Sequence, residues 1–231
     1  MDVDLDYQIT AIVELTGISE VLHNTRLLIH SFISGHSDVV WNVAWNPTKP
    51  LLASCSADKT VRLFNYSQPP ALKFTTAATI ATEHARTVRA IAWAPSGETL
   101  ATASFDANIG IWERAAEGDE EEGQGPQGEW ECVSTLEGHE TECKGVAYSC
   151  TGTLLASCSR DKTVWIWEGK SFIYGSILSY ILTVPLVQPE AEFECLGVLM
   201  HHTQDVKYVA WHPKEEVGCL FLLASNNVIL Y

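Results

Sequence analysis

The sequence predicts an all-β fold, an incomplete β-propeller, on two observations. First, a unit recurs three times without gaps. A histidine is followed 22 residues later by an aspartate and 6 residues after that by an aromatic: His36–Asp58–Phe64, His84–Asp106–Trp112 and His139–Asp161–Trp167. Second, each unit holds short strand-like runs, such as 40–45, 51–56 and 60–64, separated by turn residues: Asn46-Pro47, Pro95-Ser96-Gly97 and Thr151-Gly152. Linkers between units vary in length while the units do not, the signature of sheets joined by surface loops. A small antiparallel sheet cannot bury both faces alone, so the units must stack around an axis.

Taken in order, residues 1–34 are expected to hold an N-terminal strand near 10–16 and an interruption at 17–34. Removing 17–34 joins Val13-Glu14-Leu15-Thr16 to Gly35-His36, an ordinary start to a unit. The strand would complete the last blade of a closed ring, so it is expected unpaired or irregularly paired here. Residues 35–168 form three full blades. Residues 115–129, AAEGDEEEGQGPQGE, are expected to form an acidic, glycine-rich loop between blades.

Residues 169–188 break the pattern with an uncharged run of seventeen residues from Ser171 to Val187. That run is short for a membrane span, carries Pro185 and sits between two units of one ring, so it reads as an insertion. Its removal shortens the His139–His202 spacing from 63 to 43 residues. Both interruptions are expected to be translated introns or extra exons lying outside the blades. In the fourth unit, 189–231, His202, Trp211 and Pro213 keep the offsets of 9 and 11 seen at His36, Trp45 and Pro47. The turn aspartate is absent, and Asn226-Asn227 is expected to make a tight turn in a partial blade.

The histidines and aspartates are read as structural. A catalytic group would occur once, whereas these occur in every unit. His36, His84 and His139 can each bond the turn aspartate, Asp58, Asp106 or Asp161. The middle-strand hydroxyl, Ser54, Thr102 or Ser157, can link that histidine to the indole of Trp112 or Trp167. His202 begins the same network in the fourth unit. Phe64 has no indole N–H, so the first network is expected to be one bond short.

Composition bounds the function. Hydrophobic residues make up 46% and charged residues 19%, enough for a packed core. The formal net charge is −15, which argues against nucleic acid or an anionic membrane as partner. None of the seven cysteines is paired as Cys-x-x-Cys, so reduced thiols are expected in a cytosolic or nuclear protein, without a metal site or cofactor. No nucleophile–base pair, phosphate loop or metal spacing supports an enzyme.

Longer runs narrow the reading. LEGHE (136–140), CSRDKTVWIWE (158–168), FEC (193–195), HTQDVKYVAWHP (202–213), ASFDANIGIWE (103–113) and WECVSTLEGHE (130–140) resemble the cytosolic iron–sulfur protein assembly family of WD-repeat proteins. The likeness covers about residues 35–168 and 189–213. It implies a seven-bladed, non-catalytic ring, of which this chain holds about three blades and part of a fourth. It further implies the docking hub of the cytosolic iron–sulfur targeting complex, which hands clusters to apo-proteins. The implied partners are an assembly factor of the MIP18 type, a HEAT-repeat adaptor and an iron-only-hydrogenase-like cluster carrier. The implied location is the cytoplasm, with the nucleus as a further compartment. Cys143 and Cys150 depart from the family pattern, standing where a valine-like residue and a proline are usual.

The family's functional arginine, in the motif Cys-Ser-Arg-Asp, maps onto Arg160. Position alone singles out the same residue. Ala57 and Phe105 fill its slot in the first two units, so folding does not require arginine there, and a turn residue faces one rim of the ring. The bland reading is a solvated arginine paired to a nearby carboxylate. The alternative function is a generic WD-repeat adaptor, such as a ubiquitin-ligase substrate receptor or a signalling scaffold.

Overall fold

The computed structural model describes residues 9–10, 32–33, 35–67, 73–115, 130–169, 193–215, 220–224 and 228–230. Of the two interruptions expected at 17–34 and 169–188, only residues 32–33 and 169 are among these. The rest of both segments, residues 116–129 of the acidic loop, and Ser225 with Asn226-Asn227 lie outside the described residues.

Every regular element among the described residues is a strand. The first sheet of four comprises β3 (Val40–Trp45), β4 (Leu51–Ser56), β5 (Thr60–Ser67) and β6 (Lys73–Ala81), in that order. The second comprises β7 (Val88–Trp93), β8 (Thr99–Ser104), β9 (Ile109–Arg114) and β10 (Trp130–Leu136), so the stretch 115–129, expected between blades, instead connects two paired strands of one blade. The third comprises β11 (Cys143–Tyr148), β12 (Leu154–Ser159), β13 (Val164–Gly169) and β14 (Phe193–Leu199). A sheet of three follows: β15 (Val206–Trp211), β16 (Leu220–Ala224) and β17 (Val228–Leu230). All pairings are antiparallel between chain neighbours. At the N-terminus β1 (Ile9–Thr10) pairs with β2 (Phe32–Ile33), Ile9 opposite Ile33, as a two-stranded sheet belonging to none of the four blades.

Each inner strand carries one register shift near its start: between Val40 and Asn42, Val88 and Ala90, Cys143 and Gly145, and Val206 and Tyr208. A bulge at the same place in every blade adds twist and turns the strand across the axis. The inner strands pack in succession, β3 on β7, β7 on β11 and β11 on β15, giving an open arc of blades.

The core lies between blades. Val61, Leu63 and Ile80 of the first pack on Ile91, Trp93, Leu100 and Trp112 of the second. Ile109, Ile111 and Leu136 of the second pack on Val146, Leu155 and Trp167 of the third. Ala156, Cys158 and Val164 of the third pack on Val206 and Val209 of the fourth. Apolar residues on both faces of a blade are thus explained by its two neighbours, the condition for an incomplete WD-type propeller.

The hairpin turns between the second and third strands of each full blade put Lys59, Ala107 and Lys162 in the left-handed region, at φ 68°, 78° and 72°. Each follows its turn aspartate directly, so the aspartate's side-chain bonds must hold a backbone that L-residues adopt at some cost.

Candidate partner-binding rim

The site is built from the inside out. His36 Nδ1 lies 2.9 Å from Asp58 Oδ2, and its Nε2 lies 2.8 Å from Ser54 Oγ. The second blade repeats this with His84, Asp106 and Thr102 at 3.0 and 2.8 Å, and the third with His139, Asp161 and Ser157 at 2.8 and 2.9 Å. Trp112 and Trp167 close two of the networks, each indole N–H donating to the hydroxyl at 2.9 Å. Phe64 has no such donor, and the first network ends at Ser54. The bonds are mutually consistent with one tautomer. The indole donates to the hydroxyl, the hydroxyl to histidine Nε2, and histidine Nδ1–H to the carboxylate.

The second carboxylate oxygen fixes the turn. Asp58 Oδ1 accepts the N–H of Thr60 at 2.9 Å, Asp106 that of Asn108 at 3.0 Å and Asp161 that of Thr163 at 2.9 Å. Asp58, Asp106 and Asp161 also accept the N–H of the residue after each histidine. Burial pushes these carboxyls up, but the donated bonds outweigh it: Asp58 and Asp106 are held down to about 2, and Asp161 lower still. Burial lowers His36, against the pull of Asp58, which favours the neutral ring. His202 is buried as well, and its Nε2 has no partner among the described residues. Burial, then His201, lowers its pKa.

On this fixed turn sits Arg160. Its side chain is 58% exposed, and its Nη1 reaches Glu142 Oε2 at 3.4 Å, a long contact. Glu142 also takes Arg86 Nη2 at 3.2 Å through Oε1, so one carboxylate tethers guanidinium groups of two blades. The main chain repeats in all three blades: Arg160 N–H donates to Glu142 O, as Ala57 does to Val39 O and Phe105 to Thr87 O. Only the side chain in this slot differs. Arg86 additionally lies over the Phe105 ring, 5.9 Å from its centroid. Sequence reasoning singled out Arg160 as a candidate, but neither Glu142 nor Arg86. Their link crosses between blades at a separation of 56 residues, which within-repeat alignment does not expose.

Cys55, Cys143 and Cys158 are wholly buried between blades, and that burial raises all three thiols, Cys55 to about 12. Among the described residues no three His, Cys, Asp or Glu side chains are grouped to hold a metal ion, and no helix is long and apolar enough to cross a membrane.

Comparison with known proteins agrees with this geometry. The WD domain, G-beta repeat family matches residues 27–65, 77–113 and 130–168. A probable cytosolic iron-sulfur protein assembly protein 1 of Cryptococcus neoformans is 45% identical over 176 residues, covering 62% of this chain and 40% of that protein. The protein of the same name from Mycosarcoma maydis is 49% identical over 165 residues, 59% of this chain and 36% of its own length. A probable cytosolic Fe-S cluster assembly factor of Schizosaccharomyces japonicus is 41% identical over 152 residues, 65% of this chain and 22% of its own. The chain spans well under half the length of these relatives.

Proposed function

We propose that this chain, which belongs to the WD-repeat family of β-propeller proteins, serves as a non-catalytic docking scaffold in cytosolic iron–sulfur protein assembly. The observation that carries docking is the rim around Arg160. A permanently charged, exposed guanidinium projects from a turn whose backbone is held by the buried Asp161 behind it. Arginine at such a place offers a planar fork of donors to a partner's carboxylate or carbonyl, and interface arginines are frequent hot spots. The long contact to Glu142 leaves most of that fork available. The assembly role rests on the names of the relatives, and the cytoplasm is the compartment those names carry.

In this reading the cluster is cargo held by other proteins. The partners are an assembly factor of the MIP18 type, a HEAT-repeat adaptor and an iron-only-hydrogenase-like carrier. Arg160 contacts one of them.

Capture of these partners by tagged protein tests the proposal. Arg160→Glu replaces a donor fork with a repelling charge, so capture should fall by about tenfold or more. Stability should stay within about ±0.5 kcal/mol on the same preparation, as at an ordinary surface site. Unchanged capture with an intact fold would return Arg160 to the role of a solvated residue paired with Glu142. Recovery of ubiquitin-ligase subunits in place of assembly factors would favour the generic adaptor.

A further inference from the structure

The inner strands carry a second feature that the rim does not use. Aligning the four units places Trp41, Arg89, Lys144 and Lys207 in one slot, the second residue of each inner strand. All four line a groove of about 810 Å³ along the inside of the arc. Among the described residues, no aspartate or glutamate lines it, although the chain carries 29 acidic residues against 14 basic ones. Three successive blades thus turn a cation inward in a protein of net charge −15.

Two of these cations are uncompensated. Lys144 is paired with Asp205 at 2.8 Å. Arg89 lies over the Trp41 ring, 4.8 Å from its centroid, and has no hydrogen-bond or ion-pair partner among the described residues. Lys207 is exposed and likewise has none. Stacking on Trp41 orients the Arg89 plane and leaves its in-plane N–H donors open. The backbone adds to this. β3, β7, β11 and β15 are each the edge strand of their sheet, so one row of N–H and C=O groups on each faces the axis without a ladder partner.

We propose that this groove binds an extended acidic peptide segment of a partner protein, its main chain on the inner strand edges and its carboxylates on Arg89 and Lys207. Charge complementarity selects the occupant. An extended chain can use strand edges as a helix cannot, and acidic side chains meet open donors where basic ones meet like charge. The groove is separate from Arg160, whose contact is with Glu142 on the rim, so the inference does not depend on the iron–sulfur reading.

Fluorescence anisotropy with a labelled ten-residue peptide of alternating glutamate and serine tests this on the whole chain. The expected result is binding that weakens with added salt, and none by the matching lysine–serine peptide. Arg89→Glu and Lys207→Glu should each weaken it about tenfold or more, while Arg160→Glu leaves it within about twofold. Lys207 is exposed, so its variant remains a fair test if Arg89→Glu unfolds in a thermal melt. Absence of binding, or equal affinity in wild type and folded Lys207→Glu, overturns the proposal. So does loss of binding in Arg160→Glu alone, which moves the peptide to the rim. Displacement by inorganic phosphate at the peptide's own concentration overturns it too, because the groove is then a small-anion site.

Discussion

The front face of the first blade and that of the third are written in nearly the same residues and live in different surroundings. Val43 of β3 and Val146 of β11 occupy one slot, yet Val43 is 47% exposed and Val146 7%. Trp45 is 46% exposed, whereas Trp93 in the second blade is 8% exposed and donates its indole N–H to Ala44 O of the blade before it. Leu52 and Phe64 are left with Phe74 as a small cluster of their own, while their counterparts Leu155 and Trp167 join the core between blades two and three. The alternation of apolar residues along an inner strand therefore encodes a blade-to-blade contact. A blade's own sheet does not bury them; the preceding blade does. Among the described residues, nothing packs on the front of the first.

The same substitution at both places tests this most directly. Val146→Ala removes methyl groups from a closed interface and should cost about 1.5–3 kcal/mol, the transfer of a buried side chain plus the space it leaves. Val43→Ala should stay within about 0.5 kcal/mol, as at a surface position. Urea unfolding of both variants measures the difference. Equal costs would mean that the first blade's front face is covered after all.

This contrast also marks what the sequence can disclose. The histidine–hydroxyl–aspartate networks were legible because their members recur at fixed spacings and close within one blade. Replacement of the indole by Phe64 was readable for the same reason. Arg160 was legible as the odd member of a repeated slot. Glu142 and Arg86 were not, because their tie depends on how one blade is rotated against the next. The row formed by Arg89, Lys144 and Lys207 was open to alignment. Its meaning was not, since only the fold shows that the slot lines the inside of the arc and that no carboxylate accompanies it there. The expected N-terminal strand illustrates a further limit. Its Ile9 pairs with Ile33, a residue inside the 17–34 segment that repeat spacing treats as foreign.

Acid should act on first and second blades alike, despite their different cover, because their turn networks are alike. The carboxyls of Asp58 and Asp106 sit near 2 in the folded chain and near 4 when unfolded. A folded value depressed in this way contributes stability above the unfolded value and loses it as pH falls through the folded one. Unfolding free energy should therefore drop between about pH 4 and pH 2, by about 2 kcal/mol for each carboxyl. Asp106→Asn should lower stability at pH 7 and flatten that slope. Chemical denaturation across the pH range checks both. An unchanged slope would mean that Asp106 does not hold its partners in solution.

The smallest expected effect has the opposite sign and concerns the slot of Trp45 and Trp93. Trp93 and Trp211 spend their polar hydrogen on a carbonyl of the preceding blade, Ala44 O at 3.2 Å and Ala147 O at 3.0 Å. The third blade has Tyr148 there. Its shorter ring leaves the hydroxyl buried without a hydrogen-bond partner among the described residues, and burial, with Glu113 adding to it, raises its pKa. A buried hydroxyl with no partner bears its desolvation cost and gains nothing in return. Tyr148→Phe keeps the ring that packs with the core of blades two and three and removes the orphan oxygen. It should leave stability unchanged or raise it by up to about 1 kcal/mol. A thermal melt at neutral pH is enough to measure it. A clear loss of stability would reveal a bond to that hydroxyl, and would make the third blade's front face more polar than those of its neighbours.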